Sequence, residues 1–187
     1  MRVISGKRKG YNLMGPRSSD ARPTEDRVKE ALFNIIQPIK PNSVAVDLFS
    51  CTGSIGIEFL SRGCEKVYFS EKDRDNFERL KMNLEKTRFM DQAELLHGDF
   101  RRNLLQINEE VDYIFLDPPY YTNYVEDALE LIRDNRYFDK ALIICEMDRE
   151  ESYDEKFDFI EKVFERNYGK KVITIYKGKE DEGSISR

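Results

Sequence analysis

The chain is poor in the residues that most often do chemistry. It has one histidine, His97, and three cysteines, Cys51, Cys64 and Cys145, far apart and with no C-x-x-C. A single histidine excludes a histidine-based catalytic triad and a histidine metal cluster. Three scattered cysteines exclude a disulfide framework and a zinc knuckle; they read as reduced thiols of a cytoplasmic protein with no metal. No apolar run approaches the roughly 20 residues of a membrane span. Residues 1–6 lack the apolar core of a secretory signal, so no membrane partner is expected.

What is present is charge. Of 187 residues, 36% are charged and 40% hydrophobic, the balance of a soluble globular chain of one domain. The net charge of -5 argues against a generic nucleic-acid binder, but its distribution matters more than its sum. Residues 1–29 hold eight Lys or Arg (Arg2, Lys7, Arg8, Lys9, Arg17, Arg22, Arg27, Lys29) against three acids, a net +5 that leaves -10 for the rest. A basic arm on an acidic body is a layout suited to a nucleic-acid ligand, and equally that of a solvated N-terminus.

The arm reads as a hairpin, Arg2-Val3-Ile4 and Tyr11-Asn12-Leu13-Met14 around the turn-rich Ser5-Gly6-Lys7-Arg8-Lys9-Gly10. Thr24 is a good N-cap for a helix whose apolar face carries Val28, Ala31, Leu32, Ile35 and Ile36 and which Pro38 and Pro41 end. From Ser43 onward strands alternate with helices: strands over 44–49, 66–71, 93–97, 111–117 and 141–146, helices over 53–61, 73–88, 100–107 and 125–133. Residues 159–166 and 172–176 flank Asn167-Tyr168-Gly169 as a hairpin, followed by a polar tail. The expected fold is α/β, a doubly wound, mostly parallel sheet in which the closing hairpin makes one terminal strand antiparallel. Ligands of such sheets bind beyond the carboxyl ends of the strands, so the strand ends are where chemistry is expected.

Each strand end carries a polar group. The first runs through Asp47 into Leu48-Phe49-Ser50-Cys51-Thr52-Gly53, small residues that let a ligand approach the backbone before a helix N-terminus. As a dinucleotide fingerprint this loop is weak, because Cys51 stands where G-x-G-x-x-G needs its first glycine. The second ends in Glu71, about 20 residues on, the offset at which a carboxylate accepts from a ribose diol. The third ends in Gly98-Asp99, where a carboxylate can accept from an adenine amine or cap the next helix. The fourth ends in Asp117-Pro118-Pro119-Tyr120, the most specific feature of the chain. Two prolines hold φ near about -65° and lack N–H groups, so the turn is stiff and the Pro118 carbonyl is left to accept. A rigid acceptor pair followed by an aromatic ring suits a planar base held by its exocyclic amine.

DLFSCTGSIG, FSEKD, HGDF and DPPY, in this order, resemble the successive motifs of S-adenosylmethionine-dependent amino-methyltransferases. With SGKRKG and RPTEDRVKEALFNII before them, nearly the whole chain resembles the small-subunit (16S) ribosomal RNA guanine-N2 methyltransferases called RsmD. The resemblance implies a Rossmann-like class I methyltransferase fold, a seven-stranded mostly parallel sheet with one antiparallel strand, plus a small N-terminal β-hairpin/helix extension. It implies an RNA-contacting segment over 1–40 and a methyltransferase domain over 41–187. Asp47, Phe49, Ser50, Cys51, Thr52 and Gly53 would hold the methionine end of the cofactor, Glu71 the ribose and Asp99 the adenine amine with Phe100 beside it, and Lys72 would belong to the same cofactor site. Asp117, Pro118 and Tyr120 would be catalytic. Arg2, Lys7, Arg8, Lys9, Arg22 and Thr24 would face the RNA. The implied partner is ribosomal RNA or an assembling small ribosomal subunit, met by a monomer. One departure is plain: the family usually has glycine at the position of Cys51.

Other readings remain open at this level. The same chemistry could act on adenine N6 or on a protein amide, although DNA enzymes of this kind usually carry a target-recognition domain for which this chain has little room. A cofactor-binding RNA scaffold without catalysis is favoured by Cys51. A nicotinamide-dependent dehydrogenase needs the missing glycine and predicts no role for the DPPY turn.

Overall fold

The computed structural model describes residues 1–17, 26–120, 122–150 and 157–179. The N-terminal arm leads to α1 (Asp26–Ile36). From there the chain alternates through β1 (Val44–Asp47), α2 (Ser54–Ser61), β2 (Lys66–Glu71), α3 (Arg74–Thr87), β3 (Ala93–His97), α4 (Phe100–Leu104), β4 (Tyr113–Leu116), α5 (Tyr124–Arg133) and β5 (Leu142–Asp148). It closes with the hairpin β6 (Ile160–Tyr168) and β7 (Lys171–Gly178). The seven strands form one sheet in the order β3-β2-β1-β4-β5-β7-β6. β1 to β5 pair in parallel, and β7 runs antiparallel between β5 and β6. Among the described residues the single antiparallel strand is thus β7, the last strand, and it is not at the sheet edge, which β6 occupies.

Alternation along the strands explains why the sheet is covered on both faces. Ala45, Val67, Phe69, Phe115 and Ile144 pack with α1, α2 and α3. Val46, Ile114, Leu116, Ile143 and Cys145 face the other way, onto α4 and α5. Complete burial of a side chain such as Phe69 or Leu80 contributes about 1.5–3 kcal/mol. Gly56 is required by this packing: a Cβ there would meet the Phe69 ring at 2.1 Å.

Element boundaries move for identifiable reasons. β4 starts at Tyr113 because the Asp112 carboxylate accepts from the Val44 N–H at 3.0 Å and pairs with Lys40. β5 runs on to Asp148 because β7 pairs with it along that length. The helix expected over 100–107 ends at Leu104. On α1 the buried face includes Phe33 and, unexpectedly, Lys29. The expected cap Thr24 lies outside the described residues.

The N-terminal hairpin is held by one bridge, Arg2 to Asn12, and by Val3 and Gly10 bonds across a short 3-10 turn over Gly6–Arg8. It is fastened to the body by polar groups. The Glu58 carboxylate on α2, 0% exposed, accepts from the Ile4 and Ser5 N–H groups at 2.8 and 3.0 Å and from Arg62 at 2.7 Å. Lys29, also 0% exposed, lies 3.8 Å from that carboxylate and donates to the Arg2 carbonyl and to Ser54. Burial lowers the Lys29 ammonium pKa, and Glu58 counters it. Val3 and Leu13 join the core.

Candidate active site

The strand order reverses direction between β1 and β4, which lie side by side with Asp47 in register with Phe115. Their carboxyl ends therefore open one crevice, the usual ligand position in such sheets. An open cleft of about 1240 Å³ occupies it. Phe49, Cys51, Glu71, Lys72, Asp99, Phe100, Asp117, Pro118 and Tyr120, nine residues marked out by sequence, line this cleft. Asp47, Ser50 and Thr52 line a small cavity that adjoins it through Phe49, Cys51 and Asp117. Gly53 lines neither. It sits in the left-handed region with φ 84°, and a Cβ there would meet Leu80 at 2.4 Å, so it serves the turn and the packing of α3.

The loop after β1 is tightly specified. The Ser50 hydroxyl donates to the Asp47 carbonyl at 2.6 Å, the Gly53 N–H to the Ser50 carbonyl at 2.7 Å, and the Ser50 N–H to the Ser70 carbonyl at 2.9 Å. The buried Asp47 carboxylate accepts from the Gly56 N–H at 2.9 Å, inside the first turn of α2. Burial nevertheless pushes its pKa up to about 7. Cys51 has φ 49°, a left-handed conformation that costs an ordinary L residue about 1–2 kcal/mol. Burial pushes its thiol up to about 12, and Glu71 adds to the shift, so the thiol stays neutral.

At the next strand ends, burial raises the Glu71 carboxyl above its ordinary value, and one Glu71 oxygen accepts from the Asp73 N–H at 2.6 Å. Asp99 caps α4 through the Arg101 N–H at 3.0 Å, and its carboxylate also takes the Arg101 guanidinium at 3.2 Å. Any adenine contact by Asp99 is therefore shared with Arg101. Phe49, Phe100 and Tyr124 form an aromatic cluster with ring centroids 4.9 to 6.2 Å apart, and Arg101 lies over Phe100 and Tyr124. Tyr124 carried no signal in the sequence, where it stood just before the helix expected over 125–133; the structure makes it the first residue of α5. A half-buried carboxylate, an aromatic cluster and a tight loop of small residues lie side by side here, and could hold the ribose, adenine and methionine ends of a bound S-adenosylmethionine.

Beyond Asp117 the cleft continues where strand prediction offered no chemistry. Pro118 is buried and Pro119 exposed. The far wall is the β6–β7 hairpin with Arg166, Tyr168, Lys170 and Lys171, and Arg27 of α1 lies on the same rim. Of the basic arm, Lys7 and Lys9 are exposed, as is Arg2, which pairs with Asp26. Arg8 is half-buried, donates to the Thr87 carbonyl at 2.7 Å and stacks on Phe89. None of these four lines the cleft. Arg22 and Thr24 lie outside the described residues. Among the described residues no cluster of three His, Cys, Asp or Glu could hold a metal ion, and no helix is long and apolar enough to cross a membrane.

Comparison with known proteins agrees with this geometry. The family model described as conserved hypothetical protein 95 matches residues 1–177. YlbH of Bacillus subtilis is 35% identical over 181 residues, covering 95% of this chain and 98% of its own. Ribosomal RNA small subunit methyltransferase D of Haemophilus influenzae is 37% identical over 154 residues, 80% of each chain. The solved structure of yhhF from Escherichia coli superposes with a TM-score of 0.85 at 28% identity, over 95% of this chain and 97% of that one. With its α/β sheet of the Rossmann-like methyltransferase type and a family match along almost its whole length, the chain belongs to the conserved hypothetical protein 95 family, the RsmD family.

Proposed function

We propose that the protein transfers a methyl group from S-adenosylmethionine to the exocyclic N2 amine of a guanine in small-subunit ribosomal RNA. The observation that carries this reading is the position of Asp117-Pro118-Pro119-Tyr120: the turn leaves β4 beside the loop after β1 and lines one cleft with Glu71, Asp99 and Phe100. Relatives named for small-subunit ribosomal RNA supply the substrate class. Glu71 and Lys72 would hold the ribose, Phe100 with Asp99 the adenine, and the loop from Asp47 to Gly53 the methionine end. Bound there, the cofactor supplies an electrophilic methyl group on a sulfonium.

The chain's own residues prepare the amine. A guanine amine is a poor nucleophile because its lone pair is delocalised into the ring. The Asp117 carboxylate and the Pro118 carbonyl accept its two N–H groups, which localises the lone pair and aims it. Orientation of this kind is the main catalytic term available here. Positive charge then grows on the nitrogen, and Asp117 stabilises it and is placed to take the departing proton. The Tyr120 ring stacks on the base, which must be unstacked from its helix to enter. Residues 1–40 form the RNA-contacting part and 41–187 the methyltransferase domain, with exposed Lys7 and Lys9 as phosphate contacts.

The test is incorporation of labelled methyl from S-adenosylmethionine into ribosomal RNA and into small-subunit particles from cells lacking this gene, followed by nucleoside analysis. N2-methylguanosine is expected. Label found only in N6-methyladenosine or in protein would overturn the assignment.

A further inference from the structure

Charge inside the cleft and charge on its rim have opposite signs. The strand ends put four half-buried carboxylates into the lining: Glu71, Asp99, Asp117 and Asp148. Among the cations of the lining, Lys171 pairs with the buried Glu146, and Lys72 follows β2, with three strands between it and the β6–β7 hairpin. Arg27 on α1 and Arg166 and Lys170 on the hairpin are exposed and have no ion pair among the described residues. Farther from the tip, cations of the same hairpin are paired: Lys162 with Glu165 and Lys177 with Glu161, both at 2.9 Å. Neither of those lysines lines the cleft. Positive charge is left uncompensated where the hairpin meets the cleft. The tip is also braced. β6 and β7 pair as far as Tyr168 and Lys171, which leaves a two-residue turn of Gly169, with φ 65°, and Lys170. The Arg149 N–H donates to the Lys170 carbonyl at 2.8 Å, and the Arg166 guanidinium lies over the Tyr168 ring at 5.7 Å.

We infer that Arg27, Arg166 and Lys170 form a contact surface for the RNA backbone on the rim of the cleft and hold the phosphates next to the target base. The inference rests on the methyl-transfer reading for the identity of that base. A nucleotide presents a neutral base and an anionic phosphate. The carboxylates inside the cleft repel the phosphate and the rim cations attract it, so the base alone is drawn inward. Phosphate contacts of this kind fix the position of the strand and carry no sequence information. The rings of Tyr120 and Tyr168 line the same cleft, and cations interleaved with aromatic rings suit a single strand whose bases are unstacked. The basic arm at the N-terminus does not line the cleft, so the hairpin surface is a second footprint, nearer the chemistry than the arm.

The test is binding of deproteinised small-subunit ribosomal RNA to full-length variants across a range of salt concentrations, with S-adenosylmethionine affinity and thermal melts measured alongside. In Arg166→Gln with Lys170→Gln, RNA affinity is expected to fall about tenfold at low salt. The slope of its logarithm against that of salt concentration should flatten by about 1.5, at about 0.7–0.9 per phosphate contact. Adding Arg27→Gln should take the flattening past about 2. Cofactor affinity and melting temperature should stay close to wild type, because all three side chains are exposed and make no ion pair among the described residues. Lys162→Gln with Lys177→Gln removes two charges of the same hairpin away from the cleft and is expected to leave the slope unchanged. An equal flattening in that control, a wild-type slope in the rim variants, or a wild-type chain that binds no RNA would overturn the surface. A wild-type chain that binds RNA through these residues but transfers no methyl would support the surface and overturn the functional reading.

Discussion

The side-chain amide of Asn83 donates to the Thr52 carbonyl at 2.8 Å and so ties the loop after β1 to the middle of α3. The same amide donates to the Met14 carbonyl at 3.0 Å, and its oxygen accepts from the Met14 N–H at 2.8 Å. One 0%-exposed side chain therefore holds the loop after β1 and the N-terminal arm in fixed relation. Asn83→Leu would strand these backbone groups and should cost about 3 kcal/mol in urea unfolding. At temperatures where the variant is folded, its affinity for S-adenosylmethionine by calorimetry should fall as well. Unchanged stability would show that the loop and arm do not depend on this residue.

Asp117→Ala should abolish methyl transfer and leave cofactor affinity intact, because Asp117 is assigned to the base and not to the donor. Labelled-methyl transfer and cofactor titration on the same preparation check both halves. Full activity in Asp117→Ala would remove the central residue of the mechanism.

Asp47 makes stability depend on pH. Its folded-state pKa of about 7 lies above its ordinary 3.8, chiefly through burial. The folded chain therefore keeps a proton that the unfolded chain has already released between those values. The stability this contributes is complete below the unfolded pKa and is lost as pH rises through the folded one. Relative to Asp47→Asn, wild type should lose up to about 4 kcal/mol between pH 4 and pH 8, at about 1.4 kcal/mol per unit of pKa difference. Urea unfolding of both proteins across that range measures it, and a pH-independent difference would contradict the burial.

Cys51→Gly should bind S-adenosylmethionine as well as wild type or better. The position has φ 49°, which glycine adopts without strain. The neutral, partly buried thiol should also react slowly with iodoacetamide at pH 8. A large loss of cofactor affinity in Cys51→Gly would reveal a specific contact by the sulfur.

Lys7→Glu with Lys9→Glu should weaken RNA binding and flatten its salt dependence without changing cofactor affinity. Arg8→Glu should instead lower stability, because its guanidinium bonds the Thr87 carbonyl and stacks on Phe89. Filter binding at several salt concentrations and thermal melts separate the two effects.

Much of the lining of the cleft and its adjoining cavity was legible in the sequence. Asp47, Glu71, Asp99 and Asp117 each close an apolar run, and parallel strands bring such positions to one edge of a sheet. Charge on the arm was legible too, but not its distribution of work: Lys7 and Lys9 are exposed, while Arg8 is spent on packing. Lys29 looked like one more basic residue, and only its position against α2 makes it a buried partner of Glu58.

The chain's local chemistry by itself determined the α/β alternation, the stiff proline turn after β4, and the carboxylates at the strand ends. These depend on side-chain period, proline geometry and residue type, all of which act within a few residues. Tertiary structure alone decided that β7 inserts between β5 and β6, that Asn83 reaches Thr52, and that Lys171 meets Glu146. The two side-chain contacts join residues 31 and 25 positions apart, and their partners are chosen by packing of the whole sheet, which no local pattern encodes.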